Sequence, residues 1–162
     1  MSDQPVSDEL AVKQALKAVH GMYIKQQIGL LDALKAEFGS KVVDVAREKA
    51  SGDACAMFNA LAAQTGKISI DDLVAALWEP LRDKGYAFTM EKTGDGVKMR
   101  CTACPFAAMY RAMGGAEWGF ALYCAADADL TKAFNPEIGF NRTQTLMEGH
   151  ECCDHEYFYV NK

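Results

Sequence analysis

Five side chains in the second half of the chain are candidates for nucleophilic or acid–base chemistry, and Cys104 is the first of them. Pro105 follows it, and proline is favoured at the first position of a helix. Cys104 is therefore predicted to be a helix N-cap, where the dipole would stabilise a thiolate. Such a thiolate suits a nucleophile or a metal ligand. A half-buried thiol that merely begins a helix is the alternative.

Cys124 and Asp127 form a second candidate pair. They lie three residues apart in a predicted helix, so their side chains share one face. Asp127 is a candidate general acid or base, or a group that orients a partner. A solvated acid near the end of the helix is the alternative, although a carboxylate there would oppose the helix dipole.

The segment "CCDHEYFYV" places a thiol and an imidazole near the end of the chain. Alternate residues of a strand share a face, so Cys153 and His155 point one way and Cys152 and Asp154 the other. Cys153 and His155 suit a nucleophile–base pair or two metal ligands. The residues alone favour a simpler interpretation, an exposed histidine beside a buried cysteine.

Arg142 and Thr143 lie in "NRTQT", which we predict to be part of a strand from 138 to 147. The guanidinium fork suits a substrate carboxylate, and Thr143 beside it is the second candidate for substrate binding. A structural salt bridge made by Arg142 fits the residues equally well.

A metal site is a further hypothesis. Cys101 and Cys104 form a C-x-x-C pair that Cys152, Cys153, His150 or His155 would have to complete. A second well-spaced cysteine pair is missing, so the metal stays an open alternative with no cofactor assigned. A thioredoxin-type redox pair is disfavoured, since no βαβ pattern surrounds the motif.

The composition limits the class of protein. The 162 residues carry a net charge of −5, which does not favour binding to nucleic acid, and half of them are hydrophobic. The sequence contains no apolar stretch of about 20 residues that would cross a bilayer. Its first ten residues are polar and acidic, unlike a secretory signal. We therefore expect a cytoplasmic protein with reduced cysteines.

The elements that must position these residues change character near Gly85. Residues 1–85 are predicted to be helical. A first helix follows an N-cap at Ser7 and carries Val12, Leu16, Val19 and Tyr23 at helical spacing. "EFGSK" stops it, Gly52 bends or divides the second helix, and a capping box of Ser69 and Asp72 opens the third, which Pro80 ends.

Residues 86–162 are predicted to form a hairpin, a short helix after Cys104, a longer helix over 116–134 and a second hairpin. The order helices–hairpin–helices–hairpin predicts an α+β fold. In this fold the helical N-terminal half packs on a twisted four-stranded antiparallel sheet, and residues 1–162 form a single domain.

Taken together, the motifs resemble a known family, that of L-2-amino-thiazoline-4-carboxylic acid hydrolase. The resemblance covers about residues 86–160. It rests on Cys104-Pro105, on Cys124 with Asp127, on Arg142 to Leu146, on Gly149 and on Cys153-Asp154-His155. The family is similar in turn to ligand-binding domains of the vinyl-reductase and transport-protein-particle type, which are α+β units that often dimerise.

The resemblance implies hydrolytic opening of a cyclic amidine to an N-carbamoyl amino acid. Cys104 or Cys153 would act as the nucleophile or activate water, His155 and Asp127 would carry protons, and Arg142 would hold the substrate carboxylate. A homodimer is also implied. Two alternatives stay open: a module that binds a small molecule or a metal without turning it over, and a subunit that uses the fold as an interface.

Overall fold

The computed structural model describes residues 4–66 and 68–161. Helix α1 spans Gln4–Phe38 and helix α2 spans Lys41–Thr65. The predicted stop between them is confirmed, because Gly39 takes a positive φ of 79° that ends α1. The helix starts before the predicted N-cap, so Ser7 lies inside α1. Helix α2 is continuous through Gly52, and the predicted division there is wrong.

Helix α3, Ile70–Leu77, begins as the sequence predicts. The side chain of Ser69 accepts from the backbone N–H of Asp72, and the carboxylate of Asp72 accepts from the N–H of Ser69, which completes the capping box. Pro80 lies in the 3-10 helix Glu79–Lys84 that follows, because proline cannot continue the α-helical hydrogen bonds.

The four strands are β1 (Ala87–Lys92), β2 (Gly96–Ala103), β3 (Ile138–Asn141) and β4 (Cys153–Tyr159). They form one sheet in the order β1-β2-β4-β3, and every neighbouring pair is antiparallel. The α+β class and the two hairpins are therefore confirmed. One face of the sheet packs against helices, and the other carries charged side chains such as Lys98 and Glu156.

The helical segment between the hairpins is broken. Helix α4 spans Pro105–Ala112 with Cys104 at its N-cap, as predicted. The single helix predicted over 116–134 is wrong. It consists of helix α5 (Ala116–Gly119), a π-helical turn (Phe120–Cys124) and helix α6 (Asp127–Phe134).

The predicted strand over 138–147 is also too long. β3 ends at Asn141, and residues 142–152 form a loop that returns to β4. Arg142 and Thr143 therefore lie in this loop and not in a strand. Its polar residues bond to Asp127 and Asp154 instead of to a neighbouring strand.

Two clusters of buried side chains hold these elements together. The first lies between the sheet and helices α2, α3 and α6, and includes Phe58, Leu73, Trp78 and Tyr157. The second joins α1 to α4 and α5 through side chains that include Ile24, Ile28, Tyr110 and Trp118. Cys104 and Leu146 pack against both clusters, so the candidate site lies where the two meet.

Among the described residues, no helix is long and apolar enough to span a membrane.

Candidate functional site

Asp127 joins the two halves of the candidate site. Its carboxylate accepts a hydrogen bond from Nη1 of Arg142, and its Oδ2 lies 3.3 Å from Nε2 of His155. The three side chains are nearly buried, with 15%, 11% and 8% of their surface exposed. Asp127 is the first residue of α6, so its charge lies at the favourable end of the helix dipole. The alternative of a solvated acid near the end of a helix is therefore wrong.

Arg142 is held from several sides. Nη1 also donates to the carbonyl oxygen of Cys124 at 3.0 Å. The guanidinium lies 5.5 Å from the ring centre of Phe120 and 5.8 Å from that of Phe140, within the range of a cation–π contact. Both of these hydrogen bonds leave from Nη1, so the geometry presents Nη2 as the donor for another acceptor.

His155 lies on the helix-covered face of β4, where it is 7% exposed. Its ring packs against Trp78 and Phe140, with centroid distances of 4.9 and 5.6 Å. The alternative of an exposed histidine is therefore wrong. Nδ1 is buried and has no hydrogen-bond partner among the described residues. Because Nε2 faces a carboxylate, the ring proton belongs on Nε2, which leaves the lone pair on Nδ1 for a reacting group.

Two thiols of the cluster are held in the protonated form. Burial and the charge of Asp127 raise the pKa of Cys124, although Arg142 opposes this. Burial also raises the pKa of Cys153, whose sulfur accepts the backbone N–H of Leu146 at 3.2 Å. Cys153 belongs to the first buried cluster and Cys124 packs against the second, while Cys104 packs against both.

Cys104 differs from those two thiols. It caps helix α4, and its sulfur accepts the backbone N–H of Ala107 at 3.4 Å. It is half-buried and lines a surface cavity of about 360 Å³, together with residues that include Arg111 and Leu146. The sulfur of Cys104 therefore meets both the N-terminus of a helix and an open cavity.

Tyr86 was not predicted from the sequence. Tyr86 and Cys104 both pack against the first buried cluster, and burial followed by the nearby thiols, Cys104 first, raises the pKa of Tyr86. The register of the first hairpin explains why Tyr86 lies beside Cys104. Past the irregularity in the β1–β2 register, Ala87 pairs with Ala103, so one further step places Tyr86 opposite Cys104.

Thr143 does not join the cluster. Its hydroxyl donates to Oδ2 of Asp154 at 2.5 Å, and its backbone N–H donates to Oδ1 at 2.9 Å. Asp154 lies on the opposite face of β4 from His155. The structure therefore joins Cys124, Asp127, Arg142 and His155 by direct contacts and places Cys104 and Cys153 around Leu146. The cavity at Cys104 is lined by none of Asp127, Arg142 and His155, and Thr143 lies outside the site.

The C-x-x-C pair is split by the strand end. Cys101 lies on the buried face of β2, where its thiol donates to the carbonyl of Ala103 at 3.2 Å. Burial, followed by Cys153, raises its pKa to about 12. Across residues 4–66 and 68–161, no group of three His, Cys, Asp or Glu side chains is placed to hold a metal ion.

This arrangement can perform thiol-assisted acid–base chemistry, since it supplies a capped thiol, an aspartate–histidine pair and a buried cation.

Residues 19–157 match the family model of L-2-amino-thiazoline-4-carboxylic acid hydrolase. The matched range contains all of the clustered residues. A search of curated proteins finds no match to the chain.

Proposed function

Since the chain belongs to the L-2-amino-thiazoline-4-carboxylic acid hydrolase family, we propose that it opens a thiazoline-type cyclic amidine with help from a thiol. The product is an N-carbamoyl amino acid whose side chain carries the sulfur released from the ring. The overall reaction consumes one water and needs no oxidant or reductant. The observation that carries this proposal is the position of Cys104, a half-buried helix cap whose sulfur accepts the N–H of Ala107 and lines an open cavity.

Cys104 acts as the nucleophile. Its thiolate adds to the ring carbon between nitrogen and sulfur, and the bond from that carbon to the ring sulfur breaks. The N–H of Ala107 supports the negative charge on the sulfur during attack. Cys153, the other thiol that the sequence offers as a nucleophile, suits this role less, because burial raises its pKa.

His155 and Asp127 carry the protons. Nδ1 of His155 accepts the Cys104 proton as the sulfur attacks and gives it to the departing ring sulfur. Nδ1 then accepts a proton from the attacking water and returns it to Cys104 when that sulfur leaves. Water adds to the carbon bound to Cys104, and the Cys104–carbon bond breaks to free the thiol. Asp127 holds the imidazole through Nε2 and stabilises its charged form. Cys124 and Cys153 stay protonated beside this pair.

Arg142 clamps the substrate carboxylate through Nη2 while Nη1 holds Asp127. Arg111 is a second, partly exposed arginine that lines the cavity at Cys104, and it is the control position for Arg142. Replacing Arg142 by Lys keeps the charge but removes the second donor. We expect a rise in KM for the carboxylate substrate and a much smaller rise for the same ring without its carboxylate. Arg111→Lys should leave both KM values within a few-fold of wild type.

The chemistry and charge of the chain also indicate its class of substrate, its partners and its location. A small molecule with a carboxylate fits the buried guanidinium, and a net charge of −5 does not favour nucleic acid as a partner. The six cysteines are free thiols, which supports the reducing environment of the cytoplasm as the location.

The test is to incubate the purified protein with 2-amino-thiazoline-4-carboxylate. Ring opening creates a new small-molecule thiol, which a thiol reagent detects after the protein is removed, and the product gains the mass of one water. Cys104→Ser should lower turnover by at least about 1,000-fold. His155→Gln should lower it by about 100- to 10,000-fold, and Cys153→Ser by less than about tenfold.

Cys55→Ser is the matched control, because Cys55 lies on α2 outside the cluster. The nucleophile assignment is wrong if Cys104→Ser keeps the turnover of Cys55→Ser. If wild type binds the compound by calorimetry and releases no thiol, the chain is a binding module on this scaffold and the proposed reaction fails.

A further inference from the structure

Helix α1 carries two separate apolar faces. One face, which includes Ile24 and Ile28, is buried against α4 and α5. The other is exposed along the helix, and we name it the α1 seam: Val12, Leu16, Val19, Tyr23 and Leu30. These five side chains are between 47% and 65% exposed. Single exposed apolar residues are ordinary on a protein surface, whereas a row of this length along one helix marks a surface that another partner covers.

The first part of α1 extends beyond the rest of the protein. Every residue from Leu10 to His20 is exposed, and among the described residues the first ring contact of α1 with the body is that of His20 with Phe106. From Gln4 to Val19 the helix rises about 24 Å at 1.5 Å per residue. A helical segment of this length with no packed face is marginal in water, so its stability requires a surface that covers the seam.

The spacing of the seam identifies the kind of surface. Its members are separated by four, three, four and seven residues, which places Leu16, Tyr23 and Leu30 at one core position of a heptad and Val12 and Val19 at the other. The polar residue Gln26 occupies the core position between Tyr23 and Leu30, and a single polar core residue fixes the register of a coiled coil. A narrow row at these two positions is the seam of a coiled coil, whereas a helix that covers a globular core needs a wider apolar face.

We propose that the α1 seam is a homodimer interface, in which α1 of one protomer pairs with α1 of a second copy. An identical helix offers the same row of knobs and holes, and a two-fold contact between identical surfaces closes at two chains. Lys17 and Lys25 lie on the sides of α1 away from the seam, so two copies approach without bringing these charges together.

The available area is sufficient for a modest dimer. Burying five aliphatic or aromatic side chains removes roughly 300–500 Å² of apolar surface per protomer. The alanines beside the seam and Met22, which is 62% exposed, extend this area. Two such faces bury roughly 600–1,000 Å² in total, which is the size of a weak, reversible interface and smaller than a standard one. A membrane surface fits less well, because a helix that lies in the membrane interface presents one broad apolar face opposite a strongly charged one.

The test measures the mass of the full-length protein by sedimentation over a range of concentrations. Wild type should be a dimer that dissociates on dilution. The double variant Leu16→Gln/Val19→Gln should raise the dimer dissociation constant by at least about 100-fold. Leu10→Gln is the matched control, since Leu10 is 56% exposed on the same helix but lies off the seam. It should leave the constant within a few-fold of wild type.

All three proteins should keep the fluorescence of buried Trp118 and the same ring-opening activity, so this test stands apart from that of the proposed reaction. The proposal is overturned if wild type is monomeric at every concentration, or if the double variant dimerises as well as Leu10→Gln. Wild type that stays monomeric but sediments with vesicles of phosphatidylcholine and phosphatidylserine would assign the seam to a membrane surface instead.

Discussion

The two hairpins of the sheet differ in how their strands are joined. β1 and β2 are linked by the short turn at 93–95, and their cross-strand pairs continue almost to the strand ends. β3 and β4 are linked by residues 142–152, a loop that carries Arg142 and the N–H that meets Cys153. The first hairpin is held by backbone pairing. The second has a shorter run of backbone pairs, and its long loop is held by side chains that include those of the candidate site.

Stability and chemistry therefore depend on the same bonds in the second hairpin. Asp127 fixes Arg142 at the start of the loop, and Asp154 accepts from the backbone of Thr143 and Gln144 just after it. Removing either carboxylate should therefore disturb the site as well as the fold. Changes of charge on the first hairpin should disturb neither.

The largest effect is expected for Asp127→Ala. It leaves the buried guanidinium of Arg142 without its partner and His155 without its acceptor, which should lower the free energy of unfolding by about 3–5 kcal/mol. Ring opening should be lost as well. Urea denaturation, monitored by Trp fluorescence, measures the free energy of unfolding. The thiol-release assay measures ring opening.

Asp129→Ala is the control for that change. Asp129 lies in the same helix, is exposed and bonds to Ser51 at 2.6 Å. Its loss should cost less than about 1 kcal/mol. Removing both charges, in Asp127→Ala/Arg142→Met, should recover part of the stability lost in the single variant. Equal costs for Asp127→Ala and Asp129→Ala would show that the buried ion pair does not hold the second hairpin.

A smaller effect is expected for Asp154→Asn. Burial alone would raise the pKa of Asp154, but hydrogen bonds from Thr143 and Gln144 outweigh it and hold the pKa below its usual value. The carboxylate therefore contributes stability above its ordinary pKa, and this contribution is lost as the pH falls through the lower folded pKa. We expect a cost of about 1–2 kcal/mol at neutral pH.

The pH dependence of Asp154→Asn provides its own control. The difference in unfolding free energy between wild type and variant should shrink as the pH falls below about 4, the ordinary pKa of an aspartate, and vanish once the wild-type carboxyl is protonated in the folded protein. A difference that stays constant from neutral pH to this acid range would mean that the charge of Asp154 is not what ties the loop to β4.

The smallest effect is expected on the outer face of the sheet. Lys98 on β2 pairs with Glu156 on β4 at 3.3 Å, and both side chains are well exposed. Lys98→Ala should change the unfolding free energy by less than about 1 kcal/mol and leave turnover at the wild-type level. A loss comparable with that of Asp154→Asn would erase the contrast between the two hairpins.

The difference between the two hairpins also explains which features of the structure could be predicted from the sequence. The capping box at Ser69, the first hairpin and the cap at Cys104 depend on local patterns, and each is predicted at its observed place. β3 is predicted six residues too long because "RTQTLM" alternates like a strand. In the structure its polar residues bond across the chain to Asp127 and Asp154, and no local pattern reports those contacts.

The prediction of one helix over 116–134 fails for a similar reason. "WGFALYCAADAD" has helical composition, yet the π-helical turn shifts Cys124 so that its carbonyl meets Arg142. The predicted convergence of Cys104, Asp127 and Cys153 does not depend on those boundaries. It depends on strand alternation and on the helix cap, which are local. Tyr86 requires the exact register of the first hairpin, which no local pattern supplies.

Alkylation of the protein by iodoacetamide at neutral pH, with the modified sites located by mass spectrometry, asks directly whether Cys104 is the reactive thiol. Cys104 should be modified faster than Cys101, Cys124 and Cys153, since burial raises the pKa of those three thiols. Ring opening should fall in step with modification of Cys104, and added 2-amino-thiazoline-4-carboxylate should slow both. Complete alkylation of Cys104 in a protein that still opens the ring at the unmodified rate would rule out Cys104 as the nucleophile.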